Sequence, residues 1–215
     1  MTGRLTRLTR WRSTETIAAN AIAVETVAGT HIIVLPGVFN GVRFHTGAFL
    51  AETAAQELRP DQNVLDLGTG SGVGAIFAAR AARHVTAVDV NPEAVRCVQI
   101  NALAQHLEDK ITARLGDLFS SVPDARFDVV LFNPPYFRGQ PVDAADRALR
   151  SVDTFERFLQ ELPDHLAPGG RALVVLSPDT DIESSLATPT RVSVSVLRTR
   201  RILDKTLKIY ELRPR

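Results

Sequence analysis

Apolar positions along the chain alternate between two periods, and the order of those periods predicts the architecture. Ile22, Val24 and Val27, then Ile32, Ile33, Val34 and Leu35, flank Ala28-Gly29-Thr30, which predicts a hairpin turned at the glycine. Thr46 to Leu58 brings Phe49, Leu50, Ala54 and Leu58 to helical spacing and stops before Pro60. From there strands and helices alternate: a strand at Asn63 to Leu67, a helix over Val73 to Arg83 and a strand at Val85 to Val90. A helix over Pro92 to Ala104 and strands at Ile111 to Leu115 and Phe127 to Phe132 follow. Val152, Phe155, Phe158, Leu159, Leu162 and Leu166 mark a further amphipathic helix, which Pro168-Gly169-Gly170 is expected to stop before a strand at Arg171 to Leu176. Val192, Val194 and Val196 alternating with Ser193 and Ser195, and then Leu207 to Leu212, predict two closing antiparallel strands.

This succession predicts an α/β, doubly wound, mostly parallel sheet with helices on both faces, an antiparallel edge and an N-terminal hairpin. The expected division is residues 1–45 as an extension carrying the hairpin and 46–215 as the main domain. Only Gln140 to Arg150, polar and alanine-rich, reads as a mobile connection.

Composition narrows the function classes. The 215 residues include 45% hydrophobic positions, enough for a buried core, and 25 Lys plus Arg against 24 Asp plus Glu leave no large overall field for DNA or a membrane. One cysteine, Cys97, makes no internal disulfide, and with five scattered histidines it builds no metal cluster. Met1 to Arg12 carries Arg4, Arg7, Arg10 and Arg12 but no apolar run of signal-peptide length, so a cytoplasmic protein is expected.

Chemistry concentrates at strand ends. Val64-Leu65-Asp66-Leu67-Gly68-Thr69-Gly70-Ser71-Gly72 runs an apolar strand into a glycine turn and a helix N-terminus, where backbone N–H groups are open to a ligand. The next strand ends in Asp89-Val90, about 20 residues on, where a carboxylate accepts bonds from ribose hydroxyls. The bland alternative is a helix cap, a role that Asn91 fills better by position. Gly116-Asp117-Leu118-Phe119 ends the third strand, and there an Asp can hold an adenine amine beside apolar neighbours or simply turn the chain.

The apolar run Phe127 to Phe132 delivers Asn133-Pro134-Pro135-Tyr136 at its carboxyl end, the ligand-binding end of an open α/β sheet. Two prolines remove two competing donors, so the Asn133 side-chain oxygen and the Pro134 carbonyl can accept both hydrogens of a planar –NH₂ group. Held in that way, a delocalised nitrogen is favoured towards the pyramidal form that attacks in line. The Tyr136 ring is available to stack on the flat substrate group, or alternatively packs in the core.

At these residues the sequence resembles the S-adenosylmethionine-dependent N-methyltransferases of the small-methyltransferase-domain family, over roughly Leu35 to Leu176. The resemblance implies a seven-stranded Rossmann-like sheet and S-adenosylmethionine as cofactor. It also implies that Asp66, Gly68, Thr69, Gly70 and Gly72 hold the methionine part, Asp89 with Val90 the ribose, and Asp117 with Leu118 the adenine. Asn133, which also belongs to the cofactor side, Pro134, Pro135 and Tyr136 then hold the target nitrogen. Leu35-Pro36-Gly37-Val38-Phe39 and His45-Thr46-Gly47-Ala48 resemble the family's substrate-side segment, with His45 where an acidic residue is usual, so a pocket contact or a turn.

The acceptor expected first is a protein glutamine, a release factor among the candidate partners, and second an RNA guanine or adenine amine. For RNA, Arg191, Arg198, Arg200, Arg201, Lys205 and Lys208 form a candidate basic edge, weighed against an ordinary solvated face. A small-molecule acceptor, a non-catalytic cofactor-binding partner and an NAD dehydrogenase are the remaining alternatives.

Overall fold

The computed structural model describes residues 21–142, 146–178, 180–187, 191–202 and 205–215; the basic residues Arg4, Arg7, Arg10 and Arg12 lie outside them. In chain order the elements are β1 (Ala23–Val27), β2 (Thr30–Val34), α1 (Thr46–Glu57), β3 (Asn63–Leu67), α2 (Val73–Ala81) and β4 (His84–Asp89). α3 (Pro92–Ala104), β5 (Ile111–Leu115), β6 (Phe127–Phe132), β7 (Phe137–Arg138) and β8 (Arg150–Ser151) follow, then α4 (Thr154–Glu161), β9 (Leu166–Leu176), β10 (Val192–Ile202) and β11 (Lys205–Pro214).

Seven strands form one sheet in the order β10-β11-β9-β6-β3-β4-β5. β9, β6, β3, β4 and β5 are parallel, whereas β11 and β10 close the edge antiparallel. From β3 the chain winds outward through β4 to β5, then returns to β6 on the other side of β3. The direction of winding therefore reverses between β3 and β6, and a crevice opens at their carboxyl ends. Leu67 is paired with Phe132 across that junction, so Gly68 and Asn133 leave adjacent strands at the same level.

Strand parity assigns the two faces. Val64, Val129, Leu131, Leu173 and Val175 join α1, α2 and α3 in one core, while Leu65, Leu67, Val130, Phe132, Val174 and Leu176 join Phe155, Phe158 and Leu159 of α4 in the other. The hairpin turns on Ala28 and Gly29, at φ 44° and 79°, the two-residue geometry that matches strand twist. Its Ile32 is fully buried in the first core, and the buried Asn101 side chain of α3 fastens it. Asn101 Nδ2 donates to the carbonyls of Ile33 (2.7 Å) and Ser71 (2.8 Å), and its Oδ1 accepts from the Ile33 N–H (2.8 Å). One amide thereby joins the hairpin to the glycine turn.

Two boundaries differ from expectation. The helix predicted to run to Leu166 ends at Glu161, because Pro163 has no N–H for the helical ladder and the chain tightens into a 3-10 turn over Leu162–His165. Pro168-Gly169-Gly170 then lies within β9, where Phe127 pairs with Leu166 but Val129 with Arg171. Gly170 fits there because a Cβ would stand 2.9 Å from the Phe127 and Ala167 carbonyl oxygens.

The other difference concerns Gln140 to Arg150, expected to be mobile. Residues 143–145 lie outside those described, but the rest is anchored: Leu149 is buried, and buried Asp146 accepts from Val142 N (3.1 Å) and Arg150 Nε (3.2 Å). β7 and β8 pair across its ends. The charges that made the stretch look like solvated loop instead bond one another.

Replacing Asn101 by Ala is expected to lower unfolding stability by about 3 kcal/mol, the upper end of the cost of leaving buried partners unpaired. Denaturant titration reads it, and a loss below ~1 kcal/mol would contradict this role for the amide.

Candidate active site

Asp66 is the most constrained residue of the crevice. It is buried beneath the turn it introduces, on the same strand face as Val64. Gly72 is the N-cap of α2 and has no side chain to satisfy the helix's first donors, so the Asp66 carboxylate substitutes by accepting from Ala75 N. Thr69 Oγ1 donates to Asp66 Oδ2 at 2.6 Å. Burial dominates these bonds and, with some repulsion from Asp89, pushes the Asp66 pKa up to about 7. Any side chain at Gly74 would collide with it, since a Cβ there falls 2.9 Å from both carboxylate oxygens. Gly74 went unnoticed in the sequence because it looks like an ordinary early helix residue.

The turn takes left-handed backbone at its three glycines, and its Thr69, Gly70 and Gly72 N–H groups are already bonded, to the Val88 carbonyl, Asp89 Oδ2 and the Thr69 carbonyl. Gly68, Gly70 and Gly72 all have positive φ, at 58°, 56° and 82°. At Gly72 a Cβ would in addition meet Val98 Cα at 3.2 Å, so α2 and α3 approach closely there. Gly68 is exposed. Ser71 Oγ is buried without a hydrogen-bond partner in the same turn.

Asp89 ends β4 beside this turn. Its Oδ2 accepts from Gly70 N and its Oδ1 from Asn91 N, both at 2.9 Å. Burial holds its pKa above the usual carboxylate range, against the lowering effect of those N–H groups. Asn91 is the N-cap of α3 and accepts from Glu93 N, with Pro92 in the first turn, so the capping role falls to Asn91. With a further backbone bond from Val90, the carboxylate retains one lone pair for a hydroxyl donor. Val90 beside it is 52% exposed, an apolar surface at the mouth of the crevice.

Asp117 follows β5 in a tight turn, where a Cβ on Gly116 would stand 2.6 Å from Ser121. Gly116 N donates to the Asp89 carbonyl (2.9 Å), placing the two acidic residues on neighbouring strand ends. The Asp117 carboxylate accepts from both Nη atoms of Arg157, an α4 residue that no sequence spacing connects to it. Leu118 is buried, at φ 48°.

On the other side of the switch point, Asn133 Nδ2 donates to Thr46 Oγ1 at 3.1 Å. Thr46 opens α1 and is 1% exposed, so the amide is fixed with its nitrogen inward and its oxygen left to accept. Pro134 is buried and Pro135 half-buried. Tyr136 differs from an open stacking surface: its ring is 3% exposed in the second core, and its hydroxyl donates to the Val175 carbonyl (3.1 Å) and bonds with Thr46. Burial raises the Tyr136 pKa, so the phenol is neutral. The expectation that its ring meets the substrate gives way to the alternative of a packed core ring.

The segment before α1 closes over the glycine turn. A Cβ on Gly70 would touch the Phe39 carbonyl oxygen at 3.4 Å, and the Phe39 and Phe44 rings stack 5.2 Å apart. Asn91 Nδ2 donates to the Gly37 carbonyl (2.9 Å). Gly41 and Gly47 pack backbone to backbone, a Cβ on Gly47 lying 3.0 Å from Gly41 C. His45 is exposed at φ 65° and caps nothing with its ring, the turn rather than the pocket alternative.

The candidate basic edge is largely neutralised. Arg191 pairs with Asp164, Arg198 with Glu57, Arg200 with Glu52 and Lys208 with Glu183. Among the described residues there is no cluster of metal-ligating side chains, and no helix long and apolar enough to cross a membrane.

Residues 29–202 match the family described as methyltransferase small domain. The chain is 35% identical over 123 residues to the ribosomal protein uL3 glutamine methyltransferase of Bradyrhizobium diazoefficiens, covering 51% of this chain and 39% of that protein. It is 30% identical over 184 residues to the tRNA1(Val) (adenine(37)-N6)-methyltransferase of Porphyromonas gingivalis, covering 78% and 71%. Among solved structures, the T. thermophilus 16S rRNA N2 methyltransferase in complex with AdoMet and guanosine superposes with a TM-score of 0.68 at 25% identity, covering 94% of this chain and 52% of that one. The chain spans less than half the length of the first glutamine methyltransferases it matches.

With the Asp66 pKa raised, its neutral form is favoured in the folded state. The contribution of Asp66 to stability should be fully present below the ordinary carboxylate value of 3.8 and be lost as pH rises to about 7. Asp66→Asn should flatten that decline in denaturant midpoints taken between about pH 4 and about pH 8. An identical pH profile in the variant would contradict the assignment.

Proposed function

The chain belongs to the methyltransferase small-domain family, and on that premise we propose that it binds S-adenosylmethionine and methylates the side-chain amide nitrogen of a protein glutamine. The observation that carries the reading is the Asn133 amide, turned by Thr46 so that its oxygen accepts at the carboxyl end of β6. That oxygen stands beside the glycine turn, whose Gly68 is exposed.

The crevice suits the cofactor. Asp66 and the turn Gly68-Thr69-Gly70-Ser71-Gly72 would hold the methionine part, Asp89 with Val90 the ribose, and Asp117 the adenine amine, with Leu118 behind it. The cofactor supplies an electrophilic methyl group on a sulfonium. Asn133 Oδ1 and the Pro134 carbonyl accept the two N–H hydrogens of the incoming amide and orient its lone pair. The bound cofactor would supply the methyl carbon of a new N–C bond, its own C–S bond breaking and one N–H proton leaving to solvent. Pro135 stiffens the loop, and Tyr136 supports it from the core. Catalysis of this kind rests on positioning and on acceptors fixed before the reaction.

A glutamine fits better than an RNA base because much of the basic edge is already paired: Arg191, Arg198, Arg200 and Lys208 are engaged by Asp164, Glu57, Glu52 and Glu183, while Arg201 is exposed. Several relatives bear glutamine methyltransferase names, including that from Cereibacter sphaeroides. The rival acceptor, an exocyclic base amine, draws support from the tRNA adenine and rRNA relatives. A single buried cysteine suits a cytoplasmic setting.

Labelled methyl from S-adenosylmethionine should enter the protein fraction of a cell extract. Asn133→Ala should lower that incorporation by ~100-fold while S-adenosylhomocysteine binds as before, because the lost bond strengthens in the transition state. Label in RNA instead would move the acceptor to a base amine. Label in neither, with the cofactor bound, would overturn the macromolecular acceptor. Asp89→Ala should weaken cofactor binding by roughly 1–3 kcal/mol, and equal affinities by calorimetry would remove Asp89 from the ribose site.

A further inference from the structure

Arg157 is held in place before any ligand arrives. It lies in the first turn of α4, a helix whose Phe155, Phe158 and Leu159 are buried in the second core. Its Nε donates to Asp153 Oδ1 at 3.3 Å, while Nη1 and Nη2 donate to Asp117 Oδ2 and Oδ1 at 2.9 and 3.1 Å. The guanidinium is thus gripped at its root by its own helix and presents a two-pronged face to the turn after β5. Asp117 is half-exposed, and Arg157 adds to the capping-box bond from Ser120 in setting the direction of its carboxylate. Its backbone is already fixed by the close turn at Gly116 and by the Asp117 N–H to Ser120 Oγ bond of 2.9 Å.

We propose that Arg157 is a positioning residue that sets the Asp117 carboxylate to accept an exocyclic amine, making the site selective for a 6-amino purine over a 6-oxo one. The inference rests on the cofactor reading above and extends it to a residue on a different element. The Asp117 oxygens accept from three donors, two of the guanidinium and the Ser120 N–H, and one lone pair is left for a ligand. The paired carboxylate also carries less net field than a bare one, which suits a neutral amine donor. A 6-oxo purine presents an acceptor at that position and would face the carboxylate oxygens with no hydrogen between them.

The neighbouring residue gives the arrangement a wider reach. Glu156 bonds Arg138, two residues past Tyr136, and accepts from Ser185 Oγ (2.8 Å), while Arg138 Nη2 donates to Ser185 Oγ (2.7 Å). Consecutive residues of α4 therefore fasten the loop beyond Asn133 and the turn at Asp117.

The test is calorimetric binding of S-adenosylhomocysteine and of its 6-oxo analogue, S-inosylhomocysteine, to the unaltered protein, Arg157→Ala and Arg157→Lys, with melting temperatures in parallel. The unaltered protein should prefer the 6-amino ligand by at least ~10-fold. Arg157→Ala should lose about five- to tenfold for that ligand and little for the other, at unchanged melting temperature. Arg157→Lys should recover only part, since an ammonium lacks the planar fork. Equal losses for both ligands, no loss, or tighter binding in Arg157→Ala would overturn the proposal. Binding of neither ligand by the unaltered protein would overturn the cofactor reading itself, and this inference with it.

Discussion

A carboxylate buried at the start of a helix is the interaction on which the rest of the site depends. Asp66 must be inside, because strand parity places it on the face covered by α2, and it must be bonded, because an unpaired charge there would be costly. The turn answers both needs. Thr69 bends back to donate a hydroxyl, Ala75 supplies a backbone N–H, and Gly74 leaves the space that the two oxygens fill. A turn that folds around its own preceding strand residue takes positive φ at Gly68, Gly70 and Gly72, and leaves Gly68 exposed at the carboxyl end of β3.

The same turn is where separate parts of the molecule meet. Asn101 reaches Ser71 from α3 and holds β2 with the same amide, Asp89 reaches Gly70 from β4, and the Phe39 carbonyl lies against Gly70 from the segment before α1. That segment can lie so close because Gly41 and Gly47 have no side chains to hold them apart. Thr46, next to Gly47 at one end of the tight contact, then orients Asn133. The acceptor side and the glycine turn are thereby positioned by one stretch of chain, with winding reversal between β3 and β6 providing the gap between them.

On the opposite face, charge adds to the apolar packing of Phe155 and Phe158 against Phe119 and Tyr136. α4 reaches both the Asp117 turn and the loop past Tyr136 through adjacent residues of opposite sign. Surface ion pairs of this kind contribute little to global stability, typically under ~1 kcal/mol each. Their use lies in fixing the direction of side chains whose backbones are already set.

How far the primary sequence determines this protein follows from which interactions are local. The strand and helix order, the hairpin turn at Ala28-Gly29, the glycine turn, Asp89 at its strand end, Asn91 as the helix cap, and the position of Asn133-Pro134-Pro135 after β6 are all legible, because each depends on periodicity or on neighbours a few residues away. Pro163 was legible too, yet the apolar spacing that runs on to Leu166 concealed it. Other features depend on partners brought together only by folding: Asp117 with Arg157, 40 positions away, Asn133 with Thr46, 87 away, and Asn101 with Ile33, 68 away. The burial of Tyr136, the anchoring of Asp146 and the neutralisation of the basic edge belong with them. A residue type specifies which bonds it can make, but only the packed sheet and its helices decide which partner comes within about 3 Å.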